Sequence, residues 1–175
     1  MSTKAEQAVK PVERPFALID SDPHAKRVMS YMRPSDYAVW ASATATFPAL
    51  QYLKQTQSPL GAMPKHMGTA LKIGGFLGFV GGFLLAYQRS TFRFWGWTEN
   101  AQEVDRDYKE LSARAKAGLP LYGESSQPDY IQGVAFRNSQ WSQLKFQAIP
   151  WFNFVNHPYH GVDTTKYYKE AAEKE

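Results

Sequence analysis

The sequence predicts a mainly α-helical membrane protein: a two-helix transmembrane hairpin with a polar N-terminal arm and an extended, partly helical C-terminal arm lying on partner subunits. Three observations carry that prediction. Two charge-free apolar runs, 37–53 and 73–87, stand close together in a chain of 175 residues that is on average 43% hydrophobic and 21% charged. Five glycines fall inside the second run. Aromatics reach 15%, and many sit in the last third with too few aliphatic neighbours to build a core of their own.

Residues 1–34 read as a polar arm. No apolar stretch of the signal-peptide kind occurs before Pro15, and Glu6 and Glu13 interrupt the basic residues that a transit peptide would need. A short helix starting near Asp22 or Pro23 is expected to offer Val28, Met29 and Met32 to a partner or to the lipid interface.

Residues 35–89 form the expected hairpin. Ser35 is placed to cap the first helix, with Asp36 at the positive end of its dipole. The span 37–53 would rise about 25 Å, short of a hydrocarbon core of about 30 Å. Ser42, Thr44, Thr46 and Gln51 make it a marginal span, and Pro48 predicts a kink. Prolines and glycines mark 54–68 as a loop. The span 69–88 is long enough at about 30 Å, with Lys72 near its end where the stem can snorkel.

Gly74, Gly78 and Gly82 recur at i, i+4 and i+8, two overlapping G-x-x-x-G units, with Gly75 and Gly81 beside them. A bare helix face lets two backbones approach closely, the main attraction between helices in lipid. Ala41, Ala45 and Ala49 form a small-residue face on the first span that is expected to meet it. Phe92, Phe94, Trp95 and Trp97 read as an interfacial belt. Trp40, Arg89, Arg93, Trp95 and Trp97 are the expected interface anchors, and Lys65, Lys72 and Arg89 the expected phospholipid headgroup contacts.

Residues 90–175 read as an extramembrane arm. Asn100 is the expected cap of a helix over 101–117, with Glu103 completing a capping box and Val104, Tyr108, Leu111 and Ala115 on one stripe. A second helix is expected over 129–146. Residues 149–168, rich in proline, asparagine and aromatics, read as a strap lying on another surface.

Several function classes have no residues to stand on. Cysteine is absent, which removes disulfides and thiolate chemistry. Three of the four formal positive charges are Lys54, Lys65 and Lys72, because residues 1–36 carry six basic and five acidic groups, an excess of one, and residues 89–175 carry eleven of each. No basic stripe interleaved with aromatics suggests nucleic acid. His157, His160 and Asp163 have a conceivable metal spacing, but Pro158 and Gly161 argue for a turn and against a ligand set. The acidic residues of 99–110 read as a solvated helix face. No nucleophile motif appears, so no catalytic residue, cofactor, metal or small-molecule substrate is expected. Neither span has an ionisable residue at its centre, which disfavours an ion path. Basic residues near the spans weakly favour termini on the matrix-like side. The competing readings are a small homo-oligomeric transporter or channel component joined through the glycine face, and a peripheral membrane scaffold.

Three stretches carry a resemblance: ERPFALIDSDPHAKRVMSYMRPSDYAVW, GFLGFVGGFLLAYQRSTFRFWGWTEN and IPWFNFVNHPYHGVDTTKYY. Together they resemble the fungal 21 kDa accessory subunit family of mitochondrial NADH:ubiquinone oxidoreductase, respiratory complex I, over roughly Arg14 to Tyr168. The resemblance implies a non-catalytic inner-membrane protein of the membrane arm. It also implies roles in assembly and stability beside the other membrane-arm subunits, while the basic loop and aromatic belts add membrane phospholipids as expected partners.

Overall fold

The computed structural model describes residues 13–57, 66–141 and 152–172. Lys65, residues 1–12, most of the expected loop, 142–146 of the expected second helix and 149–151 of the expected strap lie outside them. Among the described residues the chain forms six helices and no strand: α1 (Ala25–Ser30), α2 (Pro34–Thr56), α3 (Met67–Phe94), α4 (Ala101–Lys116), α5 (Asp129–Ser139) and α6 (Thr165–Ala172). α2 packs along α3, α1 against α3, and α4 against α6.

α2 starts one residue earlier than its expected cap. Pro34 takes the first helical position, where its missing N–H would have no partner anyway. Asp36 then accepts the Arg33 backbone N–H at 2.8 Å, doing the work expected of Ser35. The helix runs unbroken through Pro48 to Thr56. α3 continues past residue 88 to Phe94. Among the described residues α3 alone is long and apolar enough to cross a membrane. α2 has the length but carries the hydroxyls and amide noted above.

The two long helices run antiparallel. A Cβ built on Gly74 would meet Gln51 and Pro48; on Gly78, Ala43 and Thr44; on Gly82, Trp40 and Ala43. At Gly78 it would stand 2.8 Å from the Ala43 carbonyl oxygen, and at Gly82 2.8 Å from the Trp40 carbonyl oxygen. Those distances are too short for a real side chain, so the contact is backbone on backbone, a setting for weak Cα–H···O attraction. Gly75 and Gly81 face open space.

The α2 face in this contact is Trp40, Ala43, Thr44 and Pro48. Ala41, Ala45 and Ala49 are exposed, which corrects the expected pairing. Residue volume alone suggested the alanines. Trp40 can lie at the contact because its ring turns onto Phe79 and Phe83, at 5.0 and 5.1 Å, and its indole N–H donates to the Phe79 carbonyl at 2.8 Å. The Thr44 hydroxyl donates back to the Trp40 carbonyl at 2.8 Å, so its polarity is satisfied within α2.

A core forms where α3 ends. Ile19, Ala25, Val28, Tyr31, Tyr87, Phe94 and Trp95 are buried together. Phe94 and Trp95 therefore do not form an interfacial belt, and Val28 faces this core, not a partner. The N-terminal segment runs along the end of α3: Ile19 N–H donates to the Phe94 carbonyl at 2.9 Å, and Phe16 N–H to the Gly96 carbonyl at 3.1 Å. Gly96 has φ +72° and its missing Cβ would overlap the Phe16 carbonyl oxygen, so only glycine fits. A second core joins Leu111 and Ala115 of α4 to Leu121 and Tyr167. α6 was not expected, and α5 stops at Ser139, ahead of a positive φ at Trp141.

The stretch 152–164 lies on the chain itself, where a partner surface was expected. Ala25 N–H donates to the Asn153 carbonyl at 2.7 Å and Ser21 N–H to the His160 carbonyl at 2.9 Å. Both arms thus fold together at one end of the helix pair.

This packing separates the glycines sharply. In the full chain in detergent, Gly78→Ala and Gly82→Ala should lower the thermal midpoint followed by circular dichroism. Gly74→Ala overlaps only the far end of the Gln51 side chain, with Pro48 at ordinary contact distance, and should be tolerated. Gly75→Ala and Gly81→Ala should be neutral or stabilising, by up to about 1 kcal/mol each from helix propensity.

Candidate functional site

Arg89 and Arg93 stand one turn apart on α3 and both reach the first turn of α2. Arg93, with a side chain only 5% exposed, holds Asp36 through both terminal nitrogens and approaches Glu103 of α4 with Nε at 2.9 Å. Asp36 is fully buried, and Arg89 Nε donates to it at 3.1 Å from a half-exposed position. Arg33 closes the group, donating from Nε to Glu103 at 2.7 Å and from Nη1 to Glu99 at 3.1 Å. Arg93 thus ties α2, α3 and α4 together.

Two more buried polar clusters hold the arms. Arg27 pairs with Asp107, and lies 3.5 Å from Asp20. Tyr167 of α6 donates to Asp107 at 2.6 Å, and Tyr31 donates to Glu110 at 2.8 Å. Burial pushes the Asp107 carboxyl above its usual value, against the pull of Arg27. Asp22 accepts from the Ser139 hydroxyl at 2.5 Å and meets His157 Nε2 at 2.9 Å, and its carboxyl too is raised by burial. His160 meets Asp20 at 2.8 Å and stacks on Tyr122 with ring centres 3.4 Å apart.

These clusters change how several residues read. The acidic stretch 99–110 is a solvated face only in part: Glu99, Asp105 and Glu110 are exposed, whereas Glu103 and Asp107 are buried, and Glu99 and Glu110 are bonded. Asn100 turns its amide onto the Ala17 and Arg93 carbonyls, both at 2.7 Å, and Glu99 takes the Ala101 N–H at 2.9 Å in its place. His157 and His160 fasten the 152–164 stretch to residues 20–22, and no cluster among the described residues has the make-up of a metal site. Ser139, Asp22 and His157 share one site, where the Ser139 hydroxyl lies against the Asp22 carboxylate at 2.5 Å and the Ala135 carbonyl at 2.8 Å, and His157 meets the same carboxylate from another side.

Of the expected anchors, Trp40 packs on α3, Arg93 and Trp95 are buried, and Trp97 is half-buried against the first core. Arg89 is tied to Asp36, and Lys72 is exposed. Beyond the junction the outer faces of the helix pair are apolar: Tyr37, Phe47, Leu50 and Leu53 on α2, and Ile73, Phe76, Leu77, Phe79 and Val80 on α3 are all exposed. Sequence reasoning missed Arg33, Asp36 and Glu103 as one unit. The available signal was the i, i+4 spacing of Arg89 and Arg93.

Residues 13–99 match the family described as NADH-ubiquinone oxidoreductase complex I, 21 kDa subunit, and residues 105–175 match its C-terminal family. The NADH-ubiquinone oxidoreductase 20.9 kDa subunit of Neurospora crassa is 49% identical over 156 residues, which cover 89% of this chain and 82% of that relative.

The junction predicts unequal roles for its two α3 arginines. Arg93→Met leaves Asp36 and Glu103 short of their buried partner and should cost about 3–5 kcal/mol. Arg89→Met, at the water-exposed edge, should cost less than about 1 kcal/mol. Denaturation midpoints of the two variants in detergent check the ratio.

Proposed function

The chain belongs to the 21 kDa subunit family of NADH-ubiquinone oxidoreductase complex I, and from that premise we propose that it is a non-catalytic accessory subunit of the membrane arm. In this reading α2 and α3 cross the mitochondrial inner membrane as a two-span pair. The folded arms stay together on one side, the matrix side by the balance of basic residues, and the protein supports assembly and stability of the proton-pumping complex. It contacts other membrane-arm subunits and phospholipids and takes no cofactor or small-molecule substrate.

The backbone contact at Gly78 and Gly82 carries the reading. Bare faces of this kind are of most use where lipid, with no hydrophobic drive, surrounds the helices. α2 has 23 residues, enough for about 35 Å. Its Thr44 and Trp40 polar groups are bonded inside the pair. Both arms meet at the Arg93 end, as two crossings require. The same contact weighs against a homo-oligomeric transporter, because the chain's own α2 already occupies the glycine face.

Gly78→Leu should reduce the amount of this chain that migrates with the large NADH-oxidising assembly on native gels. NADH oxidation per remaining assembly should stay unchanged. Normal assembly with that variant would remove the packing role. Alkaline carbonate should leave the wild-type chain in the membrane pellet, and its release would overturn the two-span arrangement.

A further inference from the structure

Of the residues expected to mark the membrane boundary, Arg93, Phe94 and Trp95 are inside the protein, and other aromatics stand at that level. Gly82 lies against Trp40 and Arg89 against Asp36, so Tyr37 shares its level along the helix pair with α3 residues between 82 and 89. Phe152 docks there from the C-terminal stretch, stacked on Phe83 at 6.2 Å and edge-on to Tyr87 at 4.7 Å. Phe154 stacks on Phe152 at 6.0 Å, yet it is 70% exposed. Tyr37, stacked near Trp40 at 6.4 Å, is 50% exposed.

Three layers follow along the axis. Apolar exposed faces run from Ile73 to Val80, exposed aromatics come next, and the charged junction of Asp36, Arg89 and Arg93 follows. That order of apolar, aromatic and charged groups is the one a bilayer presents from core to headgroup. A large ring left exposed one ring away from an apolar helix face continues that face.

We propose that Tyr37 and Phe154 sit in the headgroup region of the phospholipid bilayer, so that the 152–164 stretch docks the folded arms onto the membrane surface. The inference rests on the two-span reading and adds a membrane contact that lies outside both helices. It also sets the bilayer boundary at Tyr37, Tyr87 and Phe154, with Arg89 the first charge beyond it.

The chain has no cysteine, so single labels can be placed cleanly. Phe154→Cys, Tyr37→Cys, Phe76→Cys and Tyr130→Cys would each carry a nitroxide in the full chain reconstituted into phosphatidylcholine vesicles. All four positions are exposed, and collision with oxygen or with a water-soluble nickel chelate reports the surroundings. Position 76 should show the highest oxygen-to-nickel ratio and position 130 the lowest. Positions 154 and 37 should lie between, several-fold above 130. If 154 matches 130 while 76 reads as lipid, the docking proposal fails and the spans stand. If 154 is shielded from both reagents, a protein contact replaces the lipid and the proposal also fails. If 76 itself matches 130, the two-span reading falls first.

Discussion

The arrangement depends on two carbonyl oxygens of α2, those of Trp40 and Ala43, resting where Gly82 and Gly78 have no side chain. A methyl group at either place would push the helices apart and disturb every contact along the pair. The approach sets the register, and the register decides what meets what at the far end. With Gly82 against Trp40, Asp36 comes level with Arg89 and Arg93. A shift of one turn would leave a buried carboxylate facing apolar side chains.

The junction itself is a poor source of stability and a good source of definition. Burying Arg93, Asp36 and Glu103 costs several kcal/mol per ion in desolvation, which their mutual attraction only offsets. They require, however, that α2, α3 and α4 meet in one geometry. The glycine contact is permissive by comparison: it lets two backbones approach without naming the partner. A bare face that brings helices close and a charged knot that accepts one alignment together explain how a chain with modest cores adopts a single shape. The Arg27–Asp107–Tyr167 cluster and the Asp22–His157–Ser139 cluster do the same for the arms.

The long elements were legible because their signals are local. Gly74, Gly78 and Gly82 share a face by helical spacing alone, and helix 101–116 announces itself by its stripe and by Gly118. What the sequence hid depended on distant partners. Glu103 and Asp107 read as solvated because Arg33 and Arg27 lie 70 and 80 positions away. His157 bonds to a carboxylate 135 residues upstream. Phe94 and Trp95 were misplaced because aromatics at the end of an apolar run suggest an interface, whereas α3 runs on past the run into a folded core. The alanine face of α2 was misread because a rule about small residues ignores a tryptophan able to turn its ring aside. At eight residues, α6 is too short for periodicity to show.

The register of α2 on α3 can be trapped directly. The Gln51 side chain reaches the place a Cβ on Gly74 would take, and Gln51→Cys removes that overlap, so the two cysteines face each other for a disulfide. In native membranes, Gln51→Cys with Gly74→Cys should oxidise to an intramolecular bridge seen as a gel shift. Ala45→Cys or Ala49→Cys with Gly74→Cys should stay reduced. A bridge formed from Ala45 or Ala49, or a disulfide-linked dimer from the Gln51 pair, would contradict the register of α2 on α3 on which the structure is built.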